Sequence, residues 1–138
     1  MIRTATAQDA DLILYLATVF SKQYDVPKPA PHAAALLQEC IHNGDVFVED
    51  RDGAILGVIV GMAMPHPFMD YKVLSALFMY SVGTEGTKLI RRFIQHGREL
   101  GVDAINASTH AQVNSERDRR LMSLLGFKAT EVGWHLNL

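Results

Sequence analysis

Apolar positions change their spacing several times along the chain, and each change marks an element. Residues 2–6 read as a short strand. Asp9 then opens a helix in which Leu12, Ile13, Leu16, Ala17 and Phe20 fall on a 3.6-residue stripe. The prolines at 27, 29 and 31 hold the next stretch extended or turning, because each disfavours helix in the residue before it. A second helix is expected from Ala33 to His42, with Leu36, Leu37, Cys40 and Ile41 on one side and Asn43-Gly44 as its stop. Val46-Phe47-Val48 and Ile55 to Val60 flank Asp52-Gly53, a pair that readily takes positive φ in a tight hairpin turn. The second of these strands can run to Met64, where Pro65-His66-Pro67 breaks it.

A further strand is expected from Val73 to Val82, with Leu74, Ala76, Phe78, Tyr80 and Val82 alternating along it. The pattern then turns helical. Leu89, Ile90, Phe93, Ile94 and Leu100 line one face, opposite Lys88, Arg91, Arg92, Gln95, Arg98 and Glu99, and Gly101 closes the element. Asp103 to Thr109 reads as a strand, and Ser115 starts a last helix that ends at Gly126-Phe127. Loose alternation over residues 127–138 suggests one or two closing strands. Three consecutive strands imply an antiparallel meander, and the strand–helix–strand unit from 73 to 109 implies a parallel, right-handed crossover. The predicted architecture is an α/β domain on a mixed sheet.

Composition narrows the class. At 138 residues the chain fits one domain, 1–138, with a single sizeable core. A formal charge of −2 gives no broad surface for nucleic acid or an anionic membrane. The basic face of the helix from 87 to 100 is interrupted by Glu85, Glu99 and Asp103, and reads as a solvated face. Cys40 is the one cysteine, so no internal disulfide can form, which fits a reducing, cytoplasmic setting. The amino end lacks a signal-peptide profile, and no apolar run is long enough to cross a membrane. The six histidines share no ligand spacing with one another, with Cys40 or with carboxylates, so no metal site is expected.

The strongest chemical candidate is the turn Ser81-Val82-Gly83-Thr84-Glu85-Gly86-Thr87-Lys88, which joins a strand to a helix. A helix start leaves backbone N–H groups unpaired and carries the positive end of the helix dipole, so a phosphate is held there favourably. Glycine allows close approach, Thr84 and Thr87 add hydroxyl donors, and Lys88 with Arg91 or Arg92 adds charge. Glu85 would oppose a phosphate, or would serve as a helix-start carboxylate.

The element order, this turn, the strand and loop from Asn106 to Asn114, and the ending Leu124-Leu125-Gly126-Phe127 together resemble the GNAT acyltransferase superfamily. In length and ending the chain looks most like the compact phage-encoded acetyltransferases. The resemblance covers nearly the whole chain in element order and implies an N-acetyltransferase that takes acetyl-CoA as co-substrate. A degenerate coenzyme A-binding or interaction module without turnover is the alternative. In the family the strand before the turn splays from its parallel neighbour, and the pantetheine arm lies in the gap. Residues 81–88 would then bind the coenzyme phosphates, and Asn114 would either bind the pantetheine or cap the last helix. The family turn reads glutamine or arginine, two residues, glycine, one residue, then glycine or alanine. Counted back from Gly86, Thr84 stands at the first glycine and Ser81 at the arginine or glutamine. With Val82 instead as the family's strand-end valine, the turn is shorter than the family's. Met122 stands where the family places a proton-donating tyrosine.

Acetyl transfer to an amine of pKa about 10.4 needs a base, directly or through water. His110, at the end of the 103–109 strand, suits that role, or is a solvated loop histidine. Tyr80 lies beside the expected thioester position, or belongs to the core. Tyr24, His66, Asp70 and Tyr71 fall in the two loops that usually border the acceptor, a small-molecule or protein amine. Trp134, Leu136 and Leu138 would suit a homodimer edge.

Overall fold

A computed structural model describes residues 1–109 and 115–138, and the chain divides into two compact units, Met1–Ala107 and Ser108–Leu138. The first unit holds β1 (Ile2–Thr4), α1 (Ala10–Gln23), α2 (Ala33–His42), β2 (Val46–Arg51), β3 (Ala54–Pro65), β4 (Lys72–Ser81), α3 (Gly86–Leu100) and β5 (Ala104–Asn106). The five strands form one sheet in the order β1-β2-β3-β4-β5. The first three pairings are antiparallel and β4-β5 is parallel, so the sheet is mixed as the element order predicts.

Helices cover both faces. Ile13 and Leu16 of α1 and Leu37 and Ile41 of α2 pack on Val48, Val58 and Val60. On the other face Leu89 and Phe93 of α3 pack on Phe47, Ile59 and Leu74. Two glycines of β3 let α3 lie close to the sheet. A Cβ on Gly57 would stand 2.9 Å from Leu89 Cδ1, and one on Gly61 would run into the Phe93 ring. The Asp52-Gly53 turn takes positive φ at both residues, 54° and 88°, as its sequence predicts.

Three expectations are corrected. First, β4 does not alternate evenly. Val60 pairs with Phe78 and Gly61 with Ala76, so Leu77 is an extra residue on β4. This bulge reverses the faces: Leu74 and Ala76 lie under α3, whereas Phe78 and Tyr80 lie under α1. Second, the strand expected over 103–109 is only Ala104–Asn106. Third, residues 127–138 form no strand. Alternation supplies side chains but no partner, and none of these residues enters a ladder among the described residues.

The second unit holds α4 (Ser115–Leu124). It ends as predicted: Gly126 is left-handed at φ 93°, its N–H donates to Ser123 O, and the Phe127 N–H donates to Met122 O. His110 and Asn114 lie outside the described residues.

Candidate active site

Among the described residues, β4 outruns its parallel neighbour β5. β5 pairs only with Val73, Leu74 and Ser75, and β4 runs on to Ser81. Residues 76–81 therefore have no β5 partner among the described residues. At about 3.3 Å per residue this leaves on the order of 20 Å of strand edge with its outward N–H and C=O groups unpaired in the ladder. The other end of the pair is closed, because Lys72 N–H donates to Asp103 Oδ2 at 2.9 Å and Asp103 N–H to Lys72 O at 2.9 Å. The open edge leads straight into the turn 82–85 and the start of α3.

That turn is built around a side chain that the motif reading did not include. Glu49 of β2 is fully buried. It pairs across the sheet with Gly57, which pairs with Ser81, so the middle position of the row has no side chain. The carboxylate reaches under the turn and accepts from Thr84 N–H at 3.3 Å, Glu85 N–H at 3.4 Å and Ser81 Oγ at 3.5 Å. Gly83 lies directly over it, and a Cβ there would overlap the carboxylate. Arg51 completes the group, with Nη2 3.5 Å from Glu49 Oε1 and 3.1 Å from Thr84 Oγ1. A charged residue after Val46-Phe47-Val48, at an inward position facing a glycine, is the sequence signal that could have found it.

The other predicted coenzyme-binding residues are placed as follows. Val82 is exposed and its N–H donates to Leu56 O. Glu85 accepts from Lys88 Nζ at 2.7 Å and lies 3.1 Å from the Met1 nitrogen. Lys88 first, and then that amino group, hold the Glu85 carboxyl below its ordinary range. Lys88 is thus shared between Glu85 and solvent. Gly86 begins α3 without positive φ, and a Cβ there would meet Ser81 Cβ at an ordinary 3.7 Å. Gly86, Thr87 and Lys88 occupy the first helical positions, whose N–H groups have no partner within a helix.

Tyr80 points to the opposite face. Its ring meets Phe20 and Tyr24 edge-on, at 5.4 and 6.3 Å between centroids, and its hydroxyl donates to Gln23 Oε1. Burial, with a smaller contribution from Tyr24, pushes the phenol up. The structure thus joins Tyr80 to Tyr24, with Gln23 as the partner that sequence reasoning missed. His66 and Tyr71 meet in the β3–β4 loop, stacked at 4.9 Å, where His66 Nδ1 accepts the Phe68 and Met69 N–H groups at 3.1 and 3.0 Å. Asp70 is exposed in the same loop.

Solved structures share this fold over the full length of the chain. A ribosomal-protein-alanine N-acetyltransferase from Brucella melitensis biovar Abortus 2308 superposes with a TM-score of 0.70 at 14% identity, covering 100% of this chain and 99% of that one. An aminoglycoside acetyltransferase from an uncultured soil metagenomic sample, in complex with sisomicin, gives 0.73 at 14%, covering 100% and 95%. The fold is that of the GNAT acetyltransferases. A structure described as a transcriptional regulator from Bacillus halodurans C-125 gives 0.77 at 20%, covering 100% and 99%. No family model and no curated protein matches the chain.

Among the described residues, no helix is long and apolar enough to cross a membrane, and no group of three His, Cys, Asp or Glu could hold a metal ion.

Proposed function

We propose that this protein is an acetyl-CoA-dependent N-acetyltransferase acting on an amine of a small molecule or a protein. One observation carries the reading: β4 leaves β5 after Ser75, and the unpaired edge of residues 76–81 runs into the start of α3. In a fold shared with acetyltransferases, that edge supplies backbone groups for the amides of a pantetheine arm, and the helix start supplies N–H groups for the phosphates. Acetyl-CoA, when bound, supplies an activated thioester carbonyl.

The chain's own residues bind and orient. The N–H groups of Gly86, Thr87 and Lys88 face the phosphates, and Arg51 and Lys88 add positive charge beside them. The aromatic group of Tyr24 and Tyr80 on one side, and the loop of His66, Asp70 and Tyr71 on the other, border the acceptor. His110 is the proposed base for the ammonium proton of the acceptor, and Asn114 the proposed partner of the pantetheine. Tyr80 donates its hydroxyl proton to Gln23, so in this arrangement it orients the aromatic wall and does not serve as the proton donor.

Calorimetric titration with acetyl-CoA, followed by thiol release across a panel of amines, tests the reading. Saturable binding with turnover on at least one amine supports it. No heat at millimolar acetyl-CoA removes it. A second reading, a coenzyme-binding module without turnover, is favoured by Met122, which cannot donate a proton where the resembling family has a tyrosine. Binding without thiol release on any amine is its signature.

A further inference from the structure

We infer that Glu49 is the positioning residue of the phosphate-binding turn, a carboxylate built into the sheet that takes part of the turn's donor set and leaves only the α3 start for the ligand. The inference rests on the coenzyme reading above and goes on to assign which donors remain for the phosphates. A buried carboxylate is costly unless its oxygens are matched by donors. Glu49 is fully buried and has three donors, the Thr84 and Glu85 amides and the Ser81 hydroxyl, with the Arg51 guanidinium as an ion-pair partner. Its two oxygens divide them, Oε1 taking Thr84 and Arg51, Oε2 taking Glu85 and Ser81. The turn leaves space for the carboxylate at Gly83, where a Cβ would overlap both of its oxygens.

The consequence is a division of the turn. The amides of Thr84 and Glu85 point inward, at a charge the protein supplies. Those of Gly86, Thr87 and Lys88 remain at the mouth of the helix. A ligand phosphate therefore meets the first turn of α3 and not the residues around Gly83. Glu49 contributes by holding the turn in this shape, since its own oxygens are enclosed within the protein.

Glu49→Gln isolates the effect. The amide side chain has nearly the same volume but one acceptor oxygen, and its NH2 faces a backbone N–H donor. Two readouts are needed. In the ligand-free protein, amide hydrogen exchange measured by NMR should show Thr84 and Glu85 protected and Gly86, Thr87 and Lys88 fast. In the variant, the protection at Thr84 and Glu85 should fall. With ligand, affinity for coenzyme A should fall about tenfold, while affinity for pantetheine, which lacks the phosphates, should stay within twofold of wild type.

Fast exchange at Thr84 and Glu85 in the wild type would overturn the inference without any ligand or variant. Equal weakening of coenzyme A and pantetheine would also overturn it, because Glu49 would then act on the fold at large. Wild-type protein that binds neither compound would sink the acetyltransferase reading and the phosphate assignment together. The exchange pattern would still decide separately whether Glu49 holds the turn.

Discussion

Gly83 and Gly86 share a motif but do different work. Gly86 has ordinary helical geometry with space for a methyl group, whereas Gly83 has the Glu49 carboxylate where its Cβ would go. Gly86→Ala should therefore fold as well as wild type, with a gain of about 0.5 kcal/mol from reduced chain entropy. Gly83→Ala should lose about 1–3 kcal/mol, because the carboxylate or the turn must shift. Gly86→Glu should fold but lose coenzyme A affinity, since it places a carboxylate at the positive end of α3. Urea denaturation and calorimetry on the three variants check this set. Unchanged affinity in Gly86→Glu would mean that no phosphate is held there. The sequence showed the two glycines but not which was crowded, because Glu49 lies 34 positions before Gly83 and meets it only across the sheet.

Arg3 and Asp9 form a second exchange of charge at the residue scale. The guanidinium binds both oxygens of Asp9, at 2.8 and 2.9 Å, and Nε donates to Asp50 at 2.9 Å. Arg3 first, opposed by burial and helped by the Thr6 N–H, brings the Asp9 carboxyl down from 3.8 to about 2. A lowered folded-state pKa means that the ionised form favours folding. Its contribution, about 2 kcal/mol, is complete above the unfolded value and is lost as pH falls from about 4 to 2. Asp50 is lowered by the same guanidinium, so it acts in the same direction. Arg3→Met should be less stable than wild type at pH 6, and the gap should close as the pH approaches 2. A gap that is constant with pH would show that the pair is not the source.

At the scale of elements, α3 and β4 position the site, and they differ in how far the sequence revealed them. The two-faced pattern of α3 located the helix within a residue, because the adjacent pairs Leu89-Ile90 and Phe93-Ile94 recur four residues apart, which a helix face accommodates and strand alternation does not. The bulge at Leu77 left no such trace. Every residue from Val73 to Tyr80 is compatible with a strand, and only the pairing of Gly61 with Ala76 and Val60 with Phe78 shows where the faces change. For that reason the sequence pattern places Tyr80 in one alternating row with Leu74. The close approach of α3 was also hidden, since Gly61 reads simply as a gap in a strand. Gly61→Ala drives a methyl group into the Phe93 ring and should cost about 1–3 kcal/mol. Phe93→Leu in the same chain should recover part of that loss, because the leucine vacates the ring's far edge. Thermal unfolding of the single and double variants measures the coupling, and strict additivity would show that the two side chains do not compete.

For the molecule as a whole, topology decides where backbone groups are left over. Four of the five strands are joined by antiparallel pairing, and the single parallel neighbour, β5, is three residues long beside a ten-residue β4. The sequence predicted the mixed sheet but made β5 longer, since Ala107, Ser108 and Thr109 carry nothing that forbids a strand. The leftover edge can be read directly by exchange. Along residues 76–81, amides directed to β3 are in the ladder and should exchange slowly, while those directed away should exchange fast. Val73 to Ser75, paired on both sides, should be slow throughout. If the pantetheine arm lies along the open edge, saturating acetyl-CoA should slow the fast amides of 76–81 and leave 73–75 unchanged. Protection that rises only at the α3 start would place the phosphates there without the arm. Uniformly slow exchange along β4 before any ligand is added would mean that the edge is not open in solution, and the acetyltransferase reading would lose the observation that carries it.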